Sequence, residues 1–206
     1  MNHISYKVII FDLGGVLVKL IGVPRMMELC AGQGLTVHEM WRRWLTSPAV
    51  RLYESGKLTS DEFGRRIVKE FGMDIPPSRY LEEFALWPAG KYPGVNELLT
   101  SVKKRIAIAS LSNTNDLHWT RMVSEMDFLH LFDYNFPSHL TGRLKPDAEA
   151  FLLAATEMGI RSDEALFLDD NRINVEGAKK TGMDAVEVHG VEGVRECLAS
   201  VGMKVP

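Results

Sequence analysis

Four short apolar runs punctuate the chain: residues 7–11 (KVIIF), 105–111 (RIAIASL), 165–168 (ALFL) and 185–188 (AVEV). The first is rich in β-branched residues and breaks off at Asp12, just before the pair Gly14–Gly15. That pattern predicts a strand buried on both faces, followed by a tight loop. A weaker strand candidate lies near residues 132–136. Helical stretches separate the runs. Pro93 opens one, with Val95, Leu98, Leu99 and Val102 at helical spacing. Pro146 opens another that runs to about Met158 and stops at Gly159, a residue suited to the left-handed helix cap. A third follows Asn171 and ends near Gly182. Strands alternating with helices in this way predict an α/β fold, a doubly wound, Rossmann-like parallel sheet with right-handed crossovers.

Residues 19–87 read differently. No convincing strand is visible there, but helix starts are: Thr36 with Glu39, and Thr59 with Glu62, both fit a capping box. Phe63, Ile67 and Phe71 make an apolar stripe, and Pro24, Pro48 and Pro76–Pro77 mark boundaries. A helical domain at 19–87 is therefore expected to interrupt an α/β core formed by 1–18 and 88–206.

Composition narrows the classes of function. With 206 residues, 46% of them hydrophobic and 25% charged, the chain can build such a core with a small accessory domain. A net charge of −3 gives no support to a nucleic-acid or anionic-membrane partner. Cys30 and Cys197 follow no metal or redox spacing and read as buried, reduced thiols, and ten methionines scattered along the chain read as packing. The N-terminus lacks the apolar stretch of a signal peptide and no run is long enough to span a membrane, so a cytoplasmic protein is expected.

In open parallel sheets, ligands bind at the carboxyl ends of the strands. The residues expected there are Asp12, Ser112 with Asn113, Lys145, and Asp169 with Asp170. Singly, each aspartate is as readily a turn or cap residue, and Lys145 a solvated lysine. Together they place three carboxylates, a hydroxyl, an amide and an ammonium around one crevice. Such acids repel one another unless a cation neutralises them, which suits a divalent metal together with a phosphate.

FDLGGVLV, LSNTN, the lysine of RLKPDAEAF and FLDDNRINVEGA resemble, in order and spacing, the four motifs of the haloacid dehalogenase-like superfamily. The helical insert sits where a type C1 cap belongs, and its YESGKLTSDEF is similar to a segment common in such caps. The resemblance implies a Mg²⁺-dependent phosphatase acting on a small phosphorylated metabolite. Asp12 would be the nucleophile, forming an aspartyl-phosphate. Asp12, the carbonyl of Gly14 and Asp170 would hold Mg²⁺, with Asp169 completing the shell directly or through water. Ser112, the main-chain N–H of Asn113 and loop amides after Asp12 would bind phosphate oxygens. Lys145 would neutralise the phosphoryl group, and Asn174 would steady Lys145 or the metal shell.

The sequence departs from that pattern at Gly14, where most phosphatases of the superfamily carry an aspartate that acts as general acid and base. Losing such a group typically costs a factor of about 10²–10⁴ in rate. FDLG and LSNTN resemble a branch that includes phosphatases of α-D-glucose 1-phosphate, whose anomeric oxygen leaves more readily. The alternatives are a phosphate or metabolite binder with little turnover and, as the minor hypothesis, a 2-haloacid dehalogenase. Dehalogenases also lack the second aspartate but need no metal. His118 is a possible substitute proton carrier, although helix packing suits it better. Trp41, Arg42, Arg43, Trp44 and Tyr53 of the insert are candidates to touch substrate, with packing or solvent exposure the expectation for most.

Overall fold

The computed structural model describes residues 6–205; the first five residues of the expected core segment 1–18, and Pro206, lie outside it. Strand β1 (Val8–Phe11) leads through a loop into a short β2 (Val18–Leu20). Five helices follow: α1 (Gly22–Leu29), α2 (Val37–Thr46), α3 (Pro48–Glu54), α4 (Ser60–Phe71) and α5 (Pro77–Phe84). After β3 (Pro88–Lys91) come α6 (Val95–Lys103), β4 (Ala107–Ser112), α7 (Asp116–Glu125), β5 (Tyr134–Pro137) and the single turn α8 (Ser138–Thr141). The chain closes with α9 (Ala148–Glu157), β6 (Ala165–Asp169), α10 (Arg172–Lys180), β7 (Asp184–Glu187) and α11 (Gly190–Ser200).

Five strands form one parallel sheet in the order β5-β4-β1-β6-β7. Their side chains alternate between two cores, as the pleat requires. Val8 and Ile10 pack with Phe151, Phe167, Val175 and Ala178 beneath α9 and α10. Ile9 and Phe11 face the opposite layer, with Leu98, Val102, Met122, Val194 and Leu198 of α6, α7 and α11. Helices thus cover both faces, which makes the sheet doubly wound. The chain leaves β1 toward β4 on one side and reaches β6 on the other, so the switch in strand order falls at β1 itself.

The insert has its own core, an aromatic cluster that includes Phe63, Tyr80, Phe84 and Trp87. Ring centroids lie 4.2 Å apart for Tyr53–Phe63 and 4.7 Å for Phe84–Trp87. Both capping boxes form, and Pro48 opens α3. The stripe Phe63, Ile67 and Phe71 is fully buried.

The insert was expected to contain no strand, yet it opens with β2, which pairs antiparallel with β3 through an irregular register. These strands have three and four residues, include Pro88 and Gly90, and form a two-stranded sheet of their own. Neither carries the apolar run or alternation by which strands are recognised. The ribbon joins the two crossings between core and insert. Cys30 and Cys197 are free and buried. Among the described residues, no helix is long and apolar enough to cross a membrane.

Candidate active site

Parallel register sets the site's geometry. Phe11 pairs with Ser110 on one side and Leu168 on the other. The Asp12 N–H continues the ladder by donating to the Leu168 carbonyl at 2.8 Å. Asp12 therefore leaves the sheet beside Asp169. The loop then folds back, with the N–H groups of Leu17 and Val18 both donating to the Leu13 carbonyl. Gly15 has φ +72°, and a Cβ there would lie 2.0 Å from Asp170 Oδ2. Only glycine lets this loop pass so close to that carboxylate.

Lys145 is 3% exposed, not the solvated lysine that its sequence context alone suggests. Its Nζ lies 2.8 Å from Asp12 Oδ1 and 2.6 Å from Asp169 Oδ2. Asp169 is fully buried, and both its oxygens are hydrogen-bonded. Oδ1 accepts from the Asn171 N–H at 2.8 Å and from Asn174 Nδ2 at 3.1 Å. Oδ2 accepts from Lys145 and, at 3.1 Å, from Asn174. The Asn113 side chain clasps the Lys145 main chain through two hydrogen bonds of 2.9 Å, a role not legible in the sequence. Ser112, buried at the end of β4, makes no side-chain hydrogen bond among the described residues.

Asp12, Asp169 and Asp170 each present a carboxylate oxygen within 4.8 Å of the others. Burial pushes the Asp12 carboxyl up; Lys145 opposes this, while Asp169 and Asp170 reinforce it, and it ends well above the ordinary carboxylate range. Asp170 is raised by burial and by Asp169, against the pull of Lys145. Burial alone would depress the Lys145 ammonium, but Asp12 and Asp169 outweigh it and hold the group charged. Three carboxylates against one ammonium leave two uncompensated negative charges on hard oxygen donors. That charge and chemistry fit one divalent cation.

The insert contributes one group not singled out from the sequence. Glu54 ends α3, is half-buried, and lines two adjoining cavities. One, of about 110 Å³, runs from Gly14, Ser112 and Asn113 between Met40, Trp44 and Trp87. The other, of about 400 Å³, reaches Lys145 and Asn174. Burial raises the Glu54 carboxyl to about 7, with Lys145 and Arg51 opposing and Asp12 adding to the rise. Its place inside the cap-like segment YESGKLTSDEF was the only available signal, and nothing in that segment says where the side chain goes.

The remaining candidates divide clearly. His118 has both ring nitrogens engaged: Nε2 lies 2.7 Å from the Phe84 carbonyl and Nδ1 3.1 Å from Asn115 Nδ2. Burial lowers it to about 4, so it stays neutral, donating to Phe84 and accepting from Asn115. The Tyr53 hydroxyl donates to Asp116 and stands 3.0 Å from Ser60 Oγ, fastening insert to core. Arg43 lies over the Phe71 ring and bonds Gln33 and the Glu70 carbonyl. Trp44 packs against Phe71, Phe84 and Trp87 and also lines both cavities. Trp41 is 42% exposed at the mouth, and Arg42 faces an outer groove beside Asp170.

Comparison with known proteins bears on both chemistries. Sesquiterpene phosphatase astK of Aspergillus oryzae is 27% identical over 94% of this chain and 94% of its own length. (S)-2-haloacid dehalogenase H-109 of Pseudomonas putida is 29% identical, over 84% of this chain and 81% of its own. Two longer relatives match only in part, and the chain spans 19% of one and 29% of the other. A HAD family enzyme of Bacteroides thetaiotaomicron, solved with magnesium and inorganic phosphate, shares the fold with a TM-score of 0.73 and 23% identity; the match covers 89% of this chain and 94% of that one. The sequence pattern of the haloacid dehalogenase-like hydrolases matches residues 6–182, and the chain belongs to that family.

Proposed function

We propose that the protein hydrolyses a small phosphate monoester, R–OPO₃²⁻ plus water giving R–OH and phosphate, through an aspartyl-phosphate on Asp12. The observation that supports this most is the Lys145 ammonium between Asp12 and Asp169, with Asp170 beside them and an unbonded Ser112 hydroxyl across the crevice. Two of the three Lys145 N–H bonds are engaged, leaving one for a phosphoryl oxygen. The Ser112 hydroxyl and the Asn113 N–H supply further donors. Lys145 also aims the Asp12 carboxylate, and Asn113 and Asn174 keep the lysine and Asp169 in place.

Asp12, Asp170 and the Gly14 carbonyl would hold Mg²⁺. Asp169, its oxygens committed to Lys145, Asn171 and Asn174, suits contact through water. When bound, the metal screens an anionic nucleophile from an anionic ester and offsets charge developing on the phosphoryl oxygens. Asp12 attacks phosphorus as the ester oxygen leaves; water then attacks the aspartyl-phosphate and restores Asp12.

For the organic group, the first two motifs support a sugar phosphate, while the smaller cavity supports a more apolar residue. Away from Glu54 and the phosphate end, its walls are mainly Leu13, Val18, Met26, Met40, Trp87 and Met122. A polyol would find few partners there. The buried Trp87 Nε1, without a partner among the described residues, offers one donor. We take the apolar ester as the better fit, in keeping with the sesquiterpene phosphatase among the relatives. The dehalogenase reading is supported by the Pseudomonas putida relative, but it leaves the carboxylate cluster without a role.

Phosphate release is measured for wild type and Asp12→Asn on sugar, aryl, short-chain alkyl and isoprenoid phosphates, with and without Mg²⁺. Magnesium-dependent release abolished by the substitution is expected. Metal-independent halide release from 2-haloacids would establish the dehalogenase instead, and binding without turnover the binder.

A further inference from the structure

We propose that Glu54, delivered by the insert, carries the proton for which the first motif has no acid at Gly14. The assignment rests on the phosphatase reading above.

Glu54 is fixed relative to the nucleophile even though it belongs to the other domain. The Ser138 hydroxyl lies 2.6 Å from the Glu54 carbonyl and accepts from the Thr114 N–H at 2.9 Å. The same loop, after β4, carries Asn113. Arg51, one turn earlier on α3, pairs with Asp147 at 2.7 Å. Two residues past Glu54, a Cβ on Gly56 would lie 2.2 Å from the His139 carbonyl, so this turn packs directly on α8. Three contacts with the core therefore hold the C-terminal end of α3.

The Glu54 carboxylate makes no hydrogen bond or ion pair among the described residues. Five residues line both cavities, and Glu54 is the ionisable one; the others are Leu20, Trp41, Trp44 and Asn113. The larger cavity reaches Lys145, and the smaller runs from Ser112 and Asn113 into the apolar chamber. Glu54 borders both cavities, so a bridging oxygen joining a phosphoryl group at Lys145 and Ser112 to an organic group in the chamber would lie along its side. The charged groups acting on it are Lys145, Arg51 and Asp12; His118, which also lines the chamber, is neutral. A carboxyl raised to about 7 by burial has both protonation states accessible near neutrality.

Rival proton carriers are occupied. Asp169 has both oxygens hydrogen-bonded, His118 has both nitrogens engaged, and Asp116 binds Tyr53 and Ser60. In the first half-reaction, the Glu54 carboxyl gives its proton to the bridging oxygen as the P–O bond breaks and an Asp12 oxygen bonds phosphorus. R–OH leaves. In the second, the Glu54 carboxylate takes a proton from water as the water oxygen bonds phosphorus and the Asp12–phosphorus bond breaks. Phosphate leaves, Glu54 is again protonated and Asp12 is again a carboxylate.

The test uses Glu54→Gln and Glu54→Asp with two substrates, p-nitrophenyl phosphate and a primary alkyl phosphate. For Glu54→Gln, kcat on the alkyl ester should fall by about 10²–10³-fold, with KM changed less than about threefold. With p-nitrophenyl phosphate, whose leaving group needs no proton, the same variant should release a stoichiometric burst of p-nitrophenolate. Aspartyl-phosphate should then accumulate, as seen by intact-mass spectrometry after acid quench. Glu54→Asp should recover part of the alkyl-ester rate. An active wild type with a Glu54→Gln variant that changes only KM, or shows no burst and no phosphorylated protein, would overturn the assignment to Glu54 alone. A wild type that turns over no ester would overturn the phosphatase reading and the assignment with it.

Discussion

The Asn113 side chain and the Lys145 main chain form a reciprocal pair: Asn113 Nδ2 donates to the Lys145 carbonyl, and the Lys145 N–H donates to Asn113 Oδ1, both at 2.9 Å. Asn113 follows β4 and Lys145 precedes α9, so the pair joins two separate strand-end loops of the site. Asn113→Ala leaves a donor and an acceptor unpaired in a half-buried place, which costs about 1–3 kcal/mol. It also frees the Lys145 backbone, so the ammonium is held less firmly against Asp12. Stability measured by urea unfolding should fall by that amount, and kcat by about 10–100-fold. A variant with unchanged kcat would show that Lys145 is positioned by its ion pairs alone.

The acidic cluster sets a distinctive dependence on pH. Burial raises the carboxyls of Asp12, Asp170 and Glu54, the last to about 7. Between the ordinary carboxylate range and about 7, the metal-free folded state holds protons that the unfolded chain has lost. Stability therefore falls as pH rises through this window. His118, lowered to about 4, and His139, also lowered by burial, act in the opposite direction mainly below the ordinary histidine value, so the carboxylates dominate from pH 6.5 upward. In EDTA, thermal and urea unfolding should show a loss of roughly 1–2 kcal/mol between pH 6.5 and 8. Mg²⁺ held by the deprotonated cluster, as proposed, should cancel that loss. The same decline with and without Mg²⁺ would exclude metal binding at the three aspartates.

The physical origin of each feature decides whether it was legible in the sequence. KVIIF reads as a doubly buried strand because Val8 and Ile10 must satisfy one core and Ile9 and Phe11 the other. Asp12, Ser112, Lys145, Asp169, Asp170 and Asn174 stand where strands and helices end, so topology alone brings them to one rim. Glu54 obeys no such rule. It lies 42 positions after Asp12, in a domain whose helices encode their own core, and its place depends on how α3 seats on α8. The Asn113 side chain was likewise hidden, since its partner is a main chain 32 residues away. The ribbon β2–β3 is hidden in the sequence because hydrogen bonds, not side-chain pattern, create it.

The latch between insert and core is open to direct measurement. The Tyr53 hydroxyl and Ser60 Oγ both donate to Asp116 at the start of α7. Tyr53→Phe keeps the ring that stacks on Phe63 and removes only the hydroxyl. The loss should be about 1 kcal/mol, near that of a typical hydrogen bond, because Asp116 is exposed and can turn to water. The consequence falls on α3, which carries Glu54: kcat/KM should drop several-fold and protease cleavage within residues 19–87 should quicken. Unchanged proteolysis with lowered activity would place Tyr53 at the substrate and not at the latch.

Gly15 joins backbone conformation to the proposed metal site. Its φ of +72° costs an L-residue about 1–2 kcal/mol, and a methyl group there would overlap Asp170 Oδ2 at 2.0 Å. The strand ladder holds Asp12 and the loop behind it, whereas Asp170 is half-buried and not anchored in the sheet. In Gly15→Ala the carboxylate of Asp170 therefore moves and Asp12 stays. If Asp170 ligates Mg²⁺, affinity measured by calorimetry should fall about tenfold or more, while circular dichroism remains that of wild type. Asp170→Asn, which removes charge without moving the loop, should weaken Mg²⁺ in the same way but without the conformational cost. Should both variants bind Mg²⁺ as tightly as wild type, the ion does not sit between Asp12 and Asp170, and Gly15 serves only the turn.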